Sequence, residues 1–444
     1  MTDRAPAIGD PDPVAMLRSP SYLVLLVFGA LIGVPVAAVA YGFLWAVAEV
    51  QQYVFTTLPD DLGFDSQPGW WPILPLALSG LLVALAIQKL PGEAGHKPAE
   101  GFKTGGPVLP IELPGIALAS FATLSLGVVL GPEAPLIAIG SGLGVLAVHL
   151  LKRDAPAAAL MVIGGAGSFA AIATLLGSPL AGAFLLMEAA GLGGAMMGVV
   201  LVPGLLAAGV GSLIYVGLDN WTGVGTFSLA ISDIPPASSP TIAQFLWAIA
   251  IGLLAAVVGA GITRFALFLQ PIVERRMVLL MPVVGAFIGV ITLVFVTATD
   301  RTSADVLFSG QDQLGPMITE ASSWTVGALL LVVVCKSLAY GAALSSFRGG
   351  PVFPGMFIGA AGGIALSHLP GLPMIAGAAM GIGAMTVAML GLPLVSVLLV
   401  VLFLQADGLQ LIPVVVVAVV VSYVASAWLK PAPAPTPTSV DTTV

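Results

Sequence analysis

Long apolar segments, interrupted by short polar ones, make up most of this chain. Runs of about 20 apolar residues are long enough to cross the hydrocarbon core of a bilayer as helices. The composition agrees, because 58% of the 444 residues are apolar and only 8% are charged, whereas about a quarter of the residues in a soluble domain are charged. The sequence therefore predicts an all-α polytopic membrane protein.

Thiol and imidazole side chains are too few and too scattered to form a disulfide or a cluster of metal ligands. Cys335 is the single cysteine, so the chain can form no internal disulfide and no thiolate metal site. The histidines, His96, His149 and His368, form no cluster in the sequence. We find no glycine-rich nucleotide loop, no catalytic-triad pattern and no basic patch. We therefore expect no enzyme activity, no cofactor, no metal site and no nucleic-acid partner.

Two breaks rich in glycine and proline interrupt the apolar pattern, one in each half of the chain. Residues 131–135 read Gly-Pro-Glu-Ala-Pro, and residues 349–355 read Gly-Gly-Pro-Val-Phe-Pro-Gly. Paired interruptions are the best sequence indication of a midplane substrate site in a transporter built from inverted repeats. We therefore predict two inverted-topology repeats, with broken and re-entrant helices around a midplane anion site.

Glu133, inside the first break, most needs an explanation. Pro132 favours a helix start, since proline at the first helical position loses no hydrogen bond. The free N–H groups of a helix N-terminus attract anions, and a carboxylate at membrane depth is costly enough to indicate function. Two alternatives remain: Glu133 caps its own helix, or it competes with a mobile anion.

Polar segments divide the chain into five parts. We expect disordered tails at residues 1–17 and 430–444. Between them we expect two membrane repeats, residues 18–218 and 241–429, joined by a linker at residues 219–240.

Basic residues give the expected orientation. The loop after the second predicted span carries Lys89, Lys97 and Lys103, and cytoplasmic loops are enriched in lysine and arginine. We therefore expect a cytoplasmic N-terminus in a multi-pass protein of the plasma membrane.

Three other places have an ordinary interpretation and a functional one. Residues 104–107 (Thr-Gly-Gly-Pro) are either a plain loop or a re-entrant segment that faces a cavity, since irregular backbone at membrane depth must be buried or line water. Glu188 is either a hydrogen-bonded packing carboxylate or a proton carrier. Arg348, beside the second break, is expected to anchor at the membrane interface rather than to bind an anion.

Five stretches, in order, resemble the CLC family of chloride channels and proton-coupled anion exchangers. Residues 104–107 are similar to the first anion-site loop of the family. Residues 131–135 are similar to its gating-glutamate motif, with Glu133 in register. Residues 350–360 resemble the third filter loop and the helix after it. The remaining two stretches lie at residues 179–188 and 392–424.

The resemblance implies transmembrane chloride transport gated by the Glu133 side chain, either as a voltage-gated chloride channel or as a chloride/proton antiporter. It also implies a homodimer in the lipid bilayer, with one pore per subunit and with chloride and protons as the ions. Glu188 becomes a candidate for the proton route. The implied anion-binding residues are Thr104, Gly105, Gly106, Pro107, Gly350, Val352 and Phe353.

Some positions depart from the family pattern. Thr104 stands where the family has a serine. Threonine keeps a hydroxyl donor at this position, and this favours chloride as the anion. Pro351 has no N–H to offer an anion. Ala189 follows Glu188, where the family's inner proton-transfer glutamate would stand, and Tyr423 comes too early to be the tyrosine that closes the central site. These departures leave open whether the protein is a channel or an exchanger.

Two other functions compete with anion permeation. An ion-coupled carrier of an organic solute would need more intramembrane charge than Glu133, Glu188 and Lys336 supply. A non-transporting scaffold or sensor would need a soluble domain or a large loop, and the sequence indicates neither.

Overall fold

The structure, a computed structural model, describes residues 18–102, 106–191, 194–222 and 239–429, together with residues 231 and 234. In the first half, the helices are α1 to α7, at Pro20–Gln52, Ile73–Lys89, Leu113–Ser125, Glu133–Leu151, Ala157–Leu176, Pro179–Ala189 and Gly194–Thr222. In the second half, they are α8 to α14, at Ile242–Glu274, Met277–Thr299, Gln311–Thr319, Val326–Ser346, Val352–Leu366, Met374–Leu390 and Pro393–Leu429.

Eight helices in the described part of the chain are long and apolar enough to cross a membrane. Several others are shorter than a full span, as the predicted broken helices require, and α4 and α12 each begin directly after one of the two breaks. The long spans are Pro20–Asp61, Glu133–Leu151, Ala157–Leu176, Gly198–Leu218, Ile242–Glu274, Met277–Thr299, Val326–Ser346 and Gly408–Leu429.

The same local signals end and restart helices in both halves. Gly177 follows the last residue of α5 and Gly391 follows the last residue of α13, both with the left-handed backbone that favours glycine at a helix C-terminus. A proline begins the next helix in each case, Pro179 in α6 and Pro393 in α14. The two halves therefore fold by the same local rules.

Glycines bring matching helix pairs into backbone contact. In the first half, a Cβ atom on Gly140 would overlap the carbonyl oxygen of Gly167, so α4 and α5 can approach only because both residues lack a side chain. In the second half, Gly359 and Gly381 have the same relation between α12 and α13. In lipid, helices associate through van der Waals packing rather than through the hydrophobic effect, and small residues at the crossings allow the close approach that this packing needs.

One predicted boundary differs from the structure. Residue 219, the predicted start of the linker, lies inside α7, which continues to Thr222. The closing run α14 breaks at Gln405, where φ is 50° and ψ is −127°, into two helices at Pro393–Gln405 and Gly408–Leu429. Both predicted tails lie outside the described residues.

Candidate functional site

The two sequence breaks lie against each other in the folded chain. Gly131 donates its N–H to the Gly350 carbonyl at 2.8 Å, and Gly350 donates back to the Gly131 carbonyl at 2.5 Å. Proline follows each glycine and sits just before a helix, Pro132 before α4 and Pro351 before α12. The N-termini of two helices, one from each half, therefore meet at one point.

Glu133 lies at this meeting point with no solvent exposure. Its Oε1 accepts a hydrogen bond from the Phe353 N–H at 3.1 Å, so the carboxylate sits at the N-terminus of α12 as well as in the first turn of its own helix. Its Oε2 has no hydrogen-bond partner among the described residues. An unpaired buried carboxylate oxygen is costly. Oε2 would therefore be stabilised by a proton, by a hydrogen-bond donor, or by movement of the side chain out of this position.

Only glycine at the two facing positions leaves room for this carboxylate. A Cβ atom on Gly131 would overlap both carboxylate oxygens of Glu133, and a Cβ atom on Gly350 would overlap Oε2. The neighbours Val352 and Phe353 are 1% exposed. The pocket around the carboxylate is therefore shaped by backbone, and the hydrogen bond to Oε1 comes from a backbone N–H.

Pro351 does not weaken the α12 end of the site. It precedes the first helical residue, Val352, and the hydrogen bond to Glu133 comes from Phe353. The Pro351 carbonyl accepts a hydrogen bond from the buried Tyr340 hydroxyl at 2.9 Å. The missing N–H thus falls outside the turn that receives the carboxylate.

Tyr340 supports the site and was missed at the sequence level. It comes from α11 and has no solvent exposure. Tyr423 in α14, the tyrosine that the sequence offered for comparison, is 44% exposed. A tyrosine inside a long apolar span is itself a signal, because its hydroxyl needs a buried partner.

The first predicted loop is only partly described. Thr104 and Gly105 lie outside the described residues. Gly106 and Pro107 are exposed to a cavity of about 510 Å³, and they line it together with Ala134 and Gly349. The structure therefore places the end of this loop on a cavity that reaches the residues next to both breaks.

Glu188 joins the two halves of the chain. Its carboxylate oxygens accept hydrogen bonds from the N–H groups of Leu394 at 3.0 Å and Val395 at 2.7 Å, at the start of α14. Carboxylates at a helix N-terminus satisfy free donors and interact favourably with the helix dipole. The structure thus gives Glu188 the role of a helix cap, in line with the hydrogen-bonded alternative.

Arg348 and Lys336 are buried rather than exposed at a surface. Arg348 is 5% exposed, in contrast to the expected interfacial anchor. Lys336 has no exposure, and its Nζ donates to the carbonyls of Asp305, Val306 and Leu307 at 3.0–3.3 Å. Each cation therefore fixes backbone carbonyls inside the protein.

Comparisons with known proteins show the family of the chain. The sequence model of the family described as "Voltage gated chloride channel" matches residues 80–427. The chain belongs to this family. The candidate ion-transport protein YfeO of Salmonella newport is 30% identical over 362 residues, which cover 80% of this chain and 84% of that protein.

Solved structures share the fold. A slow cyanobacterial Cl⁻/H⁺ antiporter has a TM-score of 0.72 and 21% identity, over 91% of this chain and 97% of its own. A CLC-type fluoride/proton antiporter has a TM-score of 0.69 and 22% identity, over 91% and 96%. The predicted fold class, an all-α polytopic membrane protein of the CLC type, is confirmed. The CLC family is a family of transport proteins, and the chain is an integral multi-pass membrane protein.

Proposed function

We propose that this protein moves chloride across the membrane and that the Glu133 side chain is the gate. One observation carries the proposal: a fully buried carboxylate accepts a backbone N–H at the N-terminus of a broken helix and leaves its other oxygen unpaired. Helix N-termini are anion sites. The Glu133 carboxylate thus occupies the position that a mobile anion would take.

Gating follows from competition for that position. When Glu133 is ionised and bound to Phe353, the anion position at α12 is filled. When Glu133 is protonated or turned away, the N–H of Phe353 becomes free, and chloride can replace the carboxylate. Backbone donors suit this task because they replace the hydration of an anion without the full charge that would trap it.

The other predicted site residues divide by position. Gly350 and Phe353 directly surround the carboxylate, and Val352 begins the helix that receives it. We assign Gly106 and Pro107 to the wall of the adjoining cavity, one step farther along the route. Thr104 and Gly105 stay predicted anion-binding residues of the same loop. Glu188 stays a predicted proton carrier, and its role as a cap of α14 competes with that assignment.

Flux from proteoliposomes tests the proposal. The wild type and Glu133→Gln are compared under a chloride gradient, with chloride and pH read together. Glu133→Gln keeps the size of the side chain and removes its charge, so we expect chloride flux to continue and proton coupling, where the wild type has it, to disappear. Glu49→Gln, an exposed glutamate near the end of α1, is the matched control.

The outcomes separate the alternatives. Proton uptake driven by chloride in the wild type would identify an antiporter, and chloride flux without protons would identify a channel. A flux in which fluoride replaces chloride would change the substrate and keep the gate. No anion movement in either protein, with active controls, would reject anion transport in favour of an organic-solute carrier or a scaffold.

The organisation around the site completes the proposal. We propose that residues 18–218 and 241–429 are the two repeats, that each subunit of a homodimer holds one pore, and that the protein lies in the plasma membrane with its N-terminus in the cytoplasm. The equivalent glycines that follow α5 and α13, Gly177 and Gly391, support the two repeats.

A further inference from the structure

Lys336 is a buried cation that the proposed gate does not use. It lies inside the apolar span α11 and has no solvent exposure. Its Nζ donates to three successive carbonyls, those of Asp305 at 3.3 Å and of Val306 and Leu307 at 3.0 Å. An ammonium group has three N–H donors, so these carbonyls engage all of them. Because burying a charge is costly, a lysine held in this way is a candidate for a specific role.

One peptide unit connects Lys336 with the first break. The Leu307 carbonyl accepts from the ammonium group, and the N–H of the same peptide unit, that of Phe308, donates to the Gly127 carbonyl at 3.2 Å. A cation at the carbonyl polarises the peptide unit and strengthens its N–H as a donor. From Gly127 the chain runs through the fully buried residues 128–130 into the break. The ammonium group is therefore two hydrogen bonds away from the segment that carries the gate.

The loop that holds this peptide unit has an unusual backbone. Phe308 has a left-handed φ of 57°, and its ring packs edge-on against Phe55 with 5.0 Å between the ring centroids. Gly310 has a φ of 83°, and a Cβ atom there would lie 3.1 Å from Nζ of Lys336. A non-glycine residue in this conformation persists only where its surroundings hold it. The three carbonyl contacts of Lys336, directly before Phe308, supply that restraint.

Lys336 also contacts the helix that receives the Glu133 carboxylate. Its Nζ lies 4.4 Å from the centroid of the Phe357 ring in α12, which is the geometry of a cation–π contact. Phe353, whose N–H donates to Glu133, lies one turn earlier in the same helix. One ammonium group thus touches α12 directly and reaches the segment before α4 through a single peptide unit.

Carboxylates do not compete with the loop carbonyls for the ammonium group. Within the described ranges the recorded ion pair joins Lys97 and Glu274, so no described carboxylate lies within 4.0 Å of Nζ of Lys336. The Asp305 carboxylate interacts with the Lys336 charge from farther away, and it accepts a hydrogen bond from the Thr302 hydroxyl at 3.2 Å. The direct partners of the cation are therefore backbone atoms, and the position of the loop depends on it.

We propose that Lys336 is a positioning residue for the Glu133 gate. It holds the two partners of the Glu133–Phe353 hydrogen bond in register, α12 by direct contact and the segment before α4 through the bond from Phe308 to Gly127. The inference rests on the proposed function, since it assigns the residue that positions that gate. Without the ammonium group the two helix starts shift relative to each other, the hydrogen bond to the carboxylate weakens, and the gate opens more often.

A purely structural role is the alternative. A buried lysine that only stabilises residues 305–310 would lower Tm when it is replaced, and its loss would affect the protein in the same way whatever stands at position 133. A lower Tm fits both roles. The test must therefore ask whether the effect passes through Glu133 and whether it reaches the first break.

Chloride flux from proteoliposomes asks the first question. Lys336→Met is similar in length but removes the charge and the donors, whereas Lys336→Arg keeps both, and Lys89→Met replaces an exposed lysine at the end of α2 as the control. We expect Lys336→Met to raise the flux about tenfold, which corresponds to about 1.4 kcal/mol in the equilibrium of the gate. Lys336→Arg and Lys89→Met should stay near the wild type. Combined with Glu133→Gln, Lys336→Met should add little, because the carboxylate that it positions is already neutral.

Hydrogen exchange, read by mass spectrometry on the full-length protein, asks the second question. Exchange reports local opening of the backbone, so Lys336→Met should speed it at residues 305–310 and also at residues 127–133, and Lys336→Arg should restore the protection. If Lys336→Met does not fold, Lys336→Gln, which keeps two N–H donors and loses the charge, takes its place, with the same changes expected at smaller size.

Failure of this inference differs from failure of the proposed function. An equal change of flux in both backgrounds, or faster exchange that is confined to residues 305–310, overturns the positioning role. If Glu133→Gln alters chloride flux but Lys336→Met does not, the gate stands and Lys336 is rejected. If no anion moves in any of these proteins, the transport proposal fails, whereas faster exchange at residues 127–133 would still uphold the link from Lys336 to the first break and unchanged exchange would reject it.

Discussion

Gly350 leaves the space that the Glu133 carboxylate occupies, and alanine at this position should remove that space. A Cβ atom there would overlap Oε2 of Glu133. Gly350 is not among the residues with positive φ, so its backbone conformation is open to alanine and the steric clash is the main effect. Gly350→Ala should therefore push the carboxylate away from the N-terminus of α12.

The size of the effect follows from the contact that is lost. Displacement breaks the 3.1 Å hydrogen bond from the Phe353 N–H to Oε1. Hydrogen bonds to charged groups contribute about 1.5–3 kcal/mol, and each 1.4 kcal/mol changes a population about tenfold. The fraction of time that Glu133 spends away from α12 should therefore rise roughly ten- to a hundredfold, and chloride flux should rise by at least about the smaller factor.

Chloride efflux from proteoliposomes measures this change. Gly362→Ala is the matched control, because it makes the same substitution in α12, the helix that follows Gly350, and an added Cβ atom there would have no neighbour within 4 Å. Gly350→Ala is also combined with Glu133→Gln. A displaced gate predicts a large increase in the wild-type background and a much smaller one when residue 133 is already neutral.

Two results would refute this reasoning. Unchanged flux in a Gly350→Ala protein that keeps its thermal stability would mean that the carboxylate is not the barrier. An equal rise or fall of flux in both backgrounds would mean that the new methyl group acts on the pathway directly and not through Glu133.

Two further variants test the supports of the site. Glu188→Ala removes the cap from α14, and loss of such a cap costs about 0.5–2 kcal/mol, so we expect a lower Tm in detergent. An unchanged ratio of chloride to proton flux would leave the cap as the role of Glu188, and a changed ratio would support Glu188 as the proton carrier. Tyr340→Phe leaves the buried Pro351 carbonyl without its partner, which costs about 1–3 kcal/mol, and should lower Tm and slow chloride flux; a Tm equal to that of the wild type would show that this hydrogen bond does not hold the loop.

Local sequence signals predicted the elements of the site well. Gly-Pro at residues 131–132 and 350–351 precedes a helix in each half. Proline is favoured at a helix start because its missing N–H costs no hydrogen bond there and its fixed φ suits a helix. Glu133 falls in the first turn of α4, as its place after proline requires. The order of the motifs along the chain indicates the CLC family, and the family is confirmed.

The contacts of single charged residues could not be predicted from the sequence. Glu188 was predicted as either a hydrogen-bonded packing carboxylate or a proton carrier, and its hydrogen-bond partners, Leu394 and Val395, are about 200 residues away along the chain. Arg348 looked like an interfacial anchor, but the fold buries it against the Glu93 carbonyl. Each role depends on which distant backbone atoms come within 3 Å, and no local pattern encodes that.

The sequence by itself determined the apolar helices, their starts and stops, and the presence of a costly carboxylate between them, because hydropathy, proline and glycine act on the nearest few residues. Only the tertiary structure decided that Glu133 accepts a hydrogen bond from Phe353, 220 residues away, next to the paired glycines Gly131 and Gly350. That meeting depends on how the helices of the two halves pack, through close approaches such as Gly140 to Gly167 and Gly359 to Gly381. Packing is a property of the whole chain, and so is the site that it forms.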